Sequence, residues 1–340
     1  MRALRLTGER ALELSDIPAP DAPGTGEVQV AIKAMGLNHI DVWGWRGMAF
    51  AKRELPIVVG VEAAGEIVAV GDGVTDYKAG DRVAMYGAKT CGECRYSKSG
   101  MDNLCENVRG IMGFHLDGFA RDRLNIEQQF LVPVPDGVSW VHAACSPVTF
   151  GTPVHMLFDN AKLEAGETIL IQAGGSGVGS AAIRLSKHVG ATVITTVGDD
   201  EKAEKARALG ADHVINYREE RFESRARRLT DKKGVDVVFE HVGPDTWEGS
   251  IFALSKGGRL VTCGSTTGVS SNMNLFTLYQ QQLRIIGSFG CRMENIAQSL
   301  DFMAKGVLPV IDTEIALEDF ETGLERLETR RVFGKIVVTF

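Results

Sequence analysis

Two clusters in this sequence have residue types and spacings that could do chemistry. The first is Ala173-Gly174-Gly175-Ser176-Gly177-Val178-Gly179, which follows the β-branched run Thr168–Ile171 and opens an amphipathic stretch. Glycines there let the backbone turn sharply and approach a pyrophosphate, whose charge is met by free amides at the positive end of a helix. Between a strand and a helix this points to dinucleotide binding, although Ser176 takes the middle place of a Gly-x-Gly-x-x-Gly pattern. The second cluster is Cys91-Gly92-Glu93-Cys94 followed by Cys105. With six cysteines in 340 residues, a disulfide scaffold is too sparse, and the spacing suggests a metal lobe.

The end of the second expected strand, Thr195-Thr196-Val197-Gly198-Asp199, bears on the choice of dinucleotide. NAD-preferring folds often put an acid there to accept from the ribose hydroxyls. Val197 is apolar at that place and leaves room for a 2′-phosphate, which Lys202 and Tyr217 could contact. Asp199 would repel that phosphate. The balance favours NADP(H) over NAD(H), with Lys202 as an exposed helix lysine and Tyr217 as a packed loop residue the plainer alternatives.

These clusters need elements to hold them. Residues 1 to about 134 carry short strand-like runs, such as 28–32 and 66–70, broken by Gly, Pro and Asp, as in a β-rich unit. From Thr168 the pattern changes to six β-branched runs, Thr168–Ile171, Thr192–Val197, 213–215, 235–239, 259–263 and 284–286. Helix-like stretches lie between them at 178–189, 201–209 and 245–254. That alternation predicts an α/β, doubly wound parallel sheet. Beyond it come amphipathic stretches at 294–305 and 317–327 and a terminal strand at 334–340.

A length of 340 residues suits two domains, and 44% hydrophobic with 24% charged residues is ordinary globular composition. A formal net charge of -7 offers no general basic surface for nucleic acid or anionic membranes. No apolar run approaches the roughly 20 residues of a membrane helix, and the N-terminus lacks a signal-peptide core, so the cytoplasm is the expected location.

Nearly the whole chain resembles the medium-chain dehydrogenase/reductase superfamily, which includes zinc alcohol dehydrogenases and zinc-free quinone and enoyl reductases. The matching residues are Gly36-Leu37-Asn38-His39-Ile40-Asp41, the segment 56–70 running into Gly71-Asp72-Gly73-Val74, and Ala79-Gly80-Asp81-Arg82-Val83. The cysteine lobe, the glycine turn, Gly257-Gly258-Arg259 and Gly334-Lys335-Ile336-Val337 match as well. The resemblance implies a GroES-like β-rich catalytic domain from residues 1–145 and 289–340, a Rossmann domain at 146–288, and a cleft between them. By the same resemblance, Val242, Cys263, Gly264, Ser265, Ser288 and Phe289 stand at strand ends facing the nicotinamide, and Lys335 lies near the pyrophosphate. A homodimer or homotetramer is expected by family analogy.

Zinc members of this superfamily hold a catalytic metal with an early Cys, a His before a Glu, and a later Cys or Asp. Here those places read Asn38, Val61-Glu62 and 149–151, so catalytic zinc is not expected. The pair His39 and Asp41 does not complete a metal site. His39 is expected near the pyrophosphate or in the substrate cleft, or bonded to its own turn.

Without a Lewis acid, hydride transfer to an acceptor that delocalises its own charge is the easier chemistry: a quinone, or an enone, enal or enoyl thioester. Asn38, His39 and Asp41 are the candidate catalytic residues; Asn38 stands where the zinc-free quinone reductase branch also carries Asn. Trp43 and Phe50 could line an apolar pocket, or simply pack. In the cysteine lobe Ser97 takes the family's third cysteine place, so Cys91, Cys94 and Cys105 hold structural zinc only if Asp102, His115 or water completes the shell; otherwise the lobe is metal-free. The alternatives to a small-molecule reductase are an alcohol or aldehyde dehydrogenase and, in another class, a dinucleotide-binding sensor without turnover.

Overall fold

The computed structural model describes residues 1–48 and 53–340. It divides into two compact units, Met1–Gly151 with Cys291–Phe340, and Thr152–Gly290. The divisions thus fall at 151/152 and 290/291, where the sequence suggests 145/146 and 288/289. Among the described residues no helix is long and apolar enough to cross a membrane.

The first unit is built on a seven-stranded sheet whose central strand is Glu27–Gly36. The strand alternates buried and part-buried residues over its middle, as one with a core face does. At its C-terminal end Gly36 pairs with Glu62 of strand Glu62–Val70 on one side and with Val337 of strand Lys335–Thr339 on the other. This register brings the last strand of the chain beside residues from its first fifth. A Cβ at Gly36 would lie 2.3 Å from Glu62 Oε1, so only glycine lets the Glu62 carboxylate cross the strand here. The stretches expected at 294–305 and 317–327 are the helices Met293–Ala304 and Phe320–Glu328, the second preceded by a 3₁₀ turn.

The second unit is a six-stranded parallel sheet in the order His213–Asn216, Thr192–Val197, Thr168–Ile171, Val235–Glu240, Leu254–Thr262, Arg284–Gly287. The chain reverses its winding between Thr168–Ile171 and Val235–Glu240, the place where open α/β sheets bind ligands at the strands' carboxyl ends. Leu170, Ile194, Val238 and Leu260 are wholly buried in this sheet, which explains their β-branched and leucine-rich runs. One strand is longer than the periodicity predicts: Leu254–Thr262 begins where helix Pro244–Ala253 ends, with Gly257 at φ 73 inside it.

Candidate active site

Asn38 caps the short helix His39–Trp45 that follows the central strand of the first unit. Its backbone N–H donates to Asp41 Oδ2 at 2.8 Å, and its side-chain Nδ2 donates to Gly36 O at 3.2 Å. Its Oδ1 accepts from Lys335 Nζ at 2.9 Å. The Lys335 ammonium also donates to Leu37 O and is ion-paired with Glu62 Oε1 at 2.9 Å. Lys335, expected near the pyrophosphate, has its charged end buried in the first unit against Glu62 and Asn38. The sheet register causes this, because Lys335 starts the strand that lies beside Gly36.

Glu62 is wholly buried and equally committed. Oε1 accepts from the Thr149 hydroxyl at 2.8 Å and is ion-paired with Lys335; Oε2 accepts the amides of Val148 and Thr149 at 2.9 and 3.0 Å. Those two amides come from the π-helical segment Ser146–Phe150, which periodicity does not reveal. A divalent metal does not fit this donor set. Val61 offers no ligand atom, and the Glu62 carboxylate is already engaged by two amides, a hydroxyl and the Lys335 ammonium.

Asp41 is fully buried, and desolvation pushes its carboxyl up to about 7 against the pull of the Asn38 N–H and Lys335. Oδ1 has no hydrogen-bond partner among the described residues. Its unfolded value is 3.8, so between about pH 4 and 7 the native state keeps a proton that the unfolded chain has lost, and stability falls as pH rises through that window. Asp41→Asn is expected to remove this loss, gaining on the order of 3 kcal/mol over wild type at pH 8 compared with pH 4. Denaturant midpoints of both proteins at the two pH values test this; a pH-independent difference contradicts it.

His39 is exposed at the first position of its helix, with its ring edge-on to half-buried Trp43 at 5.9 Å. Trp45 is buried under the Arg10 guanidinium, 4.4 Å from its ring centroid, and so belongs to packing. Phe50 lies outside the described residues.

In the second unit the glycine turn begins with Ala173 at φ 48, a left-handed conformation unusual for alanine. Ser176 then caps helix Gly177–Val189, its Oγ accepting from Gly179 N at 2.9 Å. The first-turn amides of Gly177 and Val178 have no acceptor within the helix and are the groups a pyrophosphate would meet. A Cβ on Gly179 would fall 2.4 Å from Ala173 O, so the helix can approach the turn only without one. Gly179→Ala is expected to raise the Kd for the dinucleotide roughly 10- to 100-fold, the equivalent of the ~1–3 kcal/mol that overpacking costs. Fluorescence titration with NADPH reads it; an unchanged Kd would refute this role for the turn.

The other expected cofactor residues follow strand ends along the same carboxyl edge of the parallel sheet: Gly198 and Asp199, Val242, Cys263 to Ser265, Ser288 and Phe289. Two of their neighbours are absent from the sequence expectation. Glu240, wholly buried, accepts the amides of His241, Val242 and Gly243 and the hydroxyls of Thr246 and Ser250, fixing the loop after its strand. His241 Nε2 lies 2.9 Å from Gln172 O and 3.5 Å from Ser176 Oγ. Because a carbonyl only accepts, Nε2 carries the proton. A charged residue closing the apolar run 235–239 was the available signal for Glu240; nothing local marks His241.

At the adenosine end, Asp199 Oδ1 caps helix Asp200–Ala208 by accepting from Lys202 N at 2.8 Å. The Tyr217 hydroxyl lies against Gly198, where an added Cβ would meet it at 2.6 Å. Ser288 Oγ accepts from Asn160 Nδ2 at 3.0 Å, and Phe289 is exposed. Burial pushes the Cys263 thiol up to about 12.

In the cysteine lobe the Cys91, Cys94 and Cys105 sulfurs lie within 4.8 Å of one another. Ser97 Oγ lies 3.4 Å from Cys94 Sγ and 3.8 Å from Cys91 Sγ. The Ser97 hydroxyl and amide pull the Cys94 thiol down to about 6, which favours a metal-binding thiolate. Asp102 is engaged by the Met293 amide at 3.0 Å, and His115 Nδ1 by the Ile111 amide at 3.2 Å.

Residues 24–136 match the alcohol dehydrogenase GroES-like domain, and residues 177–305 the zinc-binding dehydrogenase domain. A quinone oxidoreductase of Pseudomonas aeruginosa is 33% identical over 97% of this chain and 96% of its own. An acryloyl-coenzyme A reductase of Metallosphaera sedula is 30% identical over 100% of both chains. The crystal structure of an NAD-dependent alcohol dehydrogenase superposes with a TM-score of 0.94 at 38% identity, covering 100% of both. With both domains matched in order and relatives aligned end to end, the chain belongs to the medium-chain dehydrogenase/reductase superfamily of NAD(P)-dependent oxidoreductases.

Proposed function

We propose that this protein reduces an activated C=C bond (an enone, enal or enoyl thioester) or a quinone with NAD(P)H, without a catalytic metal. The observation that carries the reading is that Asn38 and Val61 stand at two of the family's metal-ligand places and supply no zinc ligand, while Asn38, held by Lys335, leaves an amide donor there. Bound NAD(P)H supplies the hydride. An acceptor that moves the arriving charge onto its own oxygen asks the protein only for hydrogen-bond donors there. The second Nδ2 hydrogen of Asn38, which has no acceptor among the described residues, suits that task. Exposed His39, or water, returns the proton, and Trp43 offers apolar surface to the acceptor. The names of the quinone oxidoreductase and acryloyl-coenzyme A reductase relatives agree with this acceptor class. An alcohol dehydrogenase is the second reading, favoured by the likeness to the alcohol dehydrogenase structure.

NADPH is the preferred donor in this proposal. Asp199 is turned to its helix cap, and Lys202 and Tyr217, whose hydroxyl lies against Gly198, are the residues that would meet a 2′-phosphate. A homodimer would pair through the edge strand Arg284–Gly287 beside exposed Leu275, Phe276 and Tyr279; light scattering reads it. Structural zinc in the lobe would take three thiolates and Ser97 or water.

The test is oxidation of NADPH and NADH by metal-stripped and zinc-loaded protein over enones, enoyl thioesters, quinones, aldehydes and ketones. Metal-independent turnover of an enone, enoyl thioester or quinone, faster with NADPH, is the expected result. Zinc-dependent turnover of aldehydes alone overturns it.

A further inference from the structure

We propose that Lys335 is a positioning residue that works through Asn38: its ammonium orients the Asn38 amide and polarises it. This rests on the reading of Asn38 as the donor to the acceptor's oxygen.

The ammonium is buried and already engaged: it donates to Leu37 O and Asn38 Oδ1 and is ion-paired with Glu62 Oε1 at 2.9 Å. Its influence therefore passes through these partners. Leu37 O and Glu62 Oε1 end the path, because a backbone carbonyl and a fully bonded carboxylate have no hydrogen to pass on. Asn38 does: a donor at Oδ1 draws electron density from the amide, and its N–H bonds strengthen in turn.

The same contact decides which way the amide faces. An ammonium only donates, so the atom 2.9 Å from Lys335 Nζ is the oxygen, and Nδ2 faces Gly36 O. Thr149 does not compete for Oδ1. Its hydroxyl has one hydrogen, and Glu62 Oε1 at 2.8 Å takes it in preference to Asn38 Oδ1 at 3.4 Å. Lys335 is thus the donor that fixes Asn38, and the one remaining Nδ2 hydrogen is aimed by it.

The experiment is a double-mutant cycle on the full-length protein. Lys335→Met is combined with Glu62→Gln, so that no uncompensated charge stays buried, and the pair is made in wild-type and Asn38→Ala backgrounds. In the wild-type background, kcat for an enone is expected to fall roughly 10- to 100-fold, the scale of a weakened oxyanion donor, with KM for NADPH unchanged. In the Asn38→Ala background the pair is expected to cost nothing further. Equal losses in both backgrounds, or no loss in either, overturn the proposal. A second measurement needs no turnover: the Asn38 side-chain amide resonances, in ¹⁵N–¹H spectra, should move upfield in the Lys335→Met/Glu62→Gln protein and return with Lys335→Arg. Unmoved resonances overturn the polarisation. If wild type reduces no enone, enoyl thioester or quinone, the functional reading fails while the resonances still decide the role of Lys335.

Discussion

Asn38→Asp is expected to lower kcat for enone or quinone reduction by roughly 10²- to 10³-fold, the loss that follows removal of an oxyanion donor, while the fold survives. Helix His39–Trp45 keeps its start because its first turn is held by the Asn38 backbone, whose carbonyl accepts from Asp41 N and whose N–H donates to Asp41 Oδ2, and not by the Asn38 side chain. The introduced carboxylate can still accept from Lys335 at the position of Oδ1. What disappears is the N–H at Nδ2, replaced by an oxygen that repels a forming enolate. Stopped-flow NADPH oxidation under saturating acceptor, with circular dichroism to verify folding, measures the effect. A kcat within the wild-type range would mean that the acceptor's oxygen is held elsewhere.

The second large effect concerns stability. Lys335→Met alone is expected to destabilise the protein by about 3–5 kcal/mol, because it leaves a buried carboxylate without its counter-ion. Glu62 would keep the Val148 and Thr149 amides and the Thr149 hydroxyl, which soften the loss but carry no net charge. Adding Glu62→Gln should restore much of the lost stability, since removing both charges together is far less costly than removing one. Urea unfolding of wild type, the single variant and the pair gives the comparison. A single variant as stable as wild type would show that the Glu62 charge is compensated by its hydrogen bonds alone.

Much of the architecture is legible in the sequence. Six β-branched runs separated by amphipathic stretches allow few folds, because strands buried on both faces must be apolar throughout and helices must cover them. The glycine turn is legible for the same local reason: its function depends on close backbone approach, and Gly174 and Gly179, where a Cβ would lie 2.2 Å from Thr195 Oγ1 and 2.4 Å from Ala173 O, mark that approach. Val61 and Asn38 also speak for themselves, since their side chains cannot complete a zinc shell.

The tertiary structure alone decided where the charge of Lys335 lies. It meets Asn38 across 297 positions of chain, through a strand register that no window of local periodicity contains. The same holds for His241 beside the glycine turn, and for the Val148 and Thr149 amides on Glu62. Residue type and spacing determine local conformation and the chemistry a side chain can offer. Whether a charge meets solvent, a phosphate or a buried counter-ion is set by which distant strand lies next to it, and that is a property of the folded sheet.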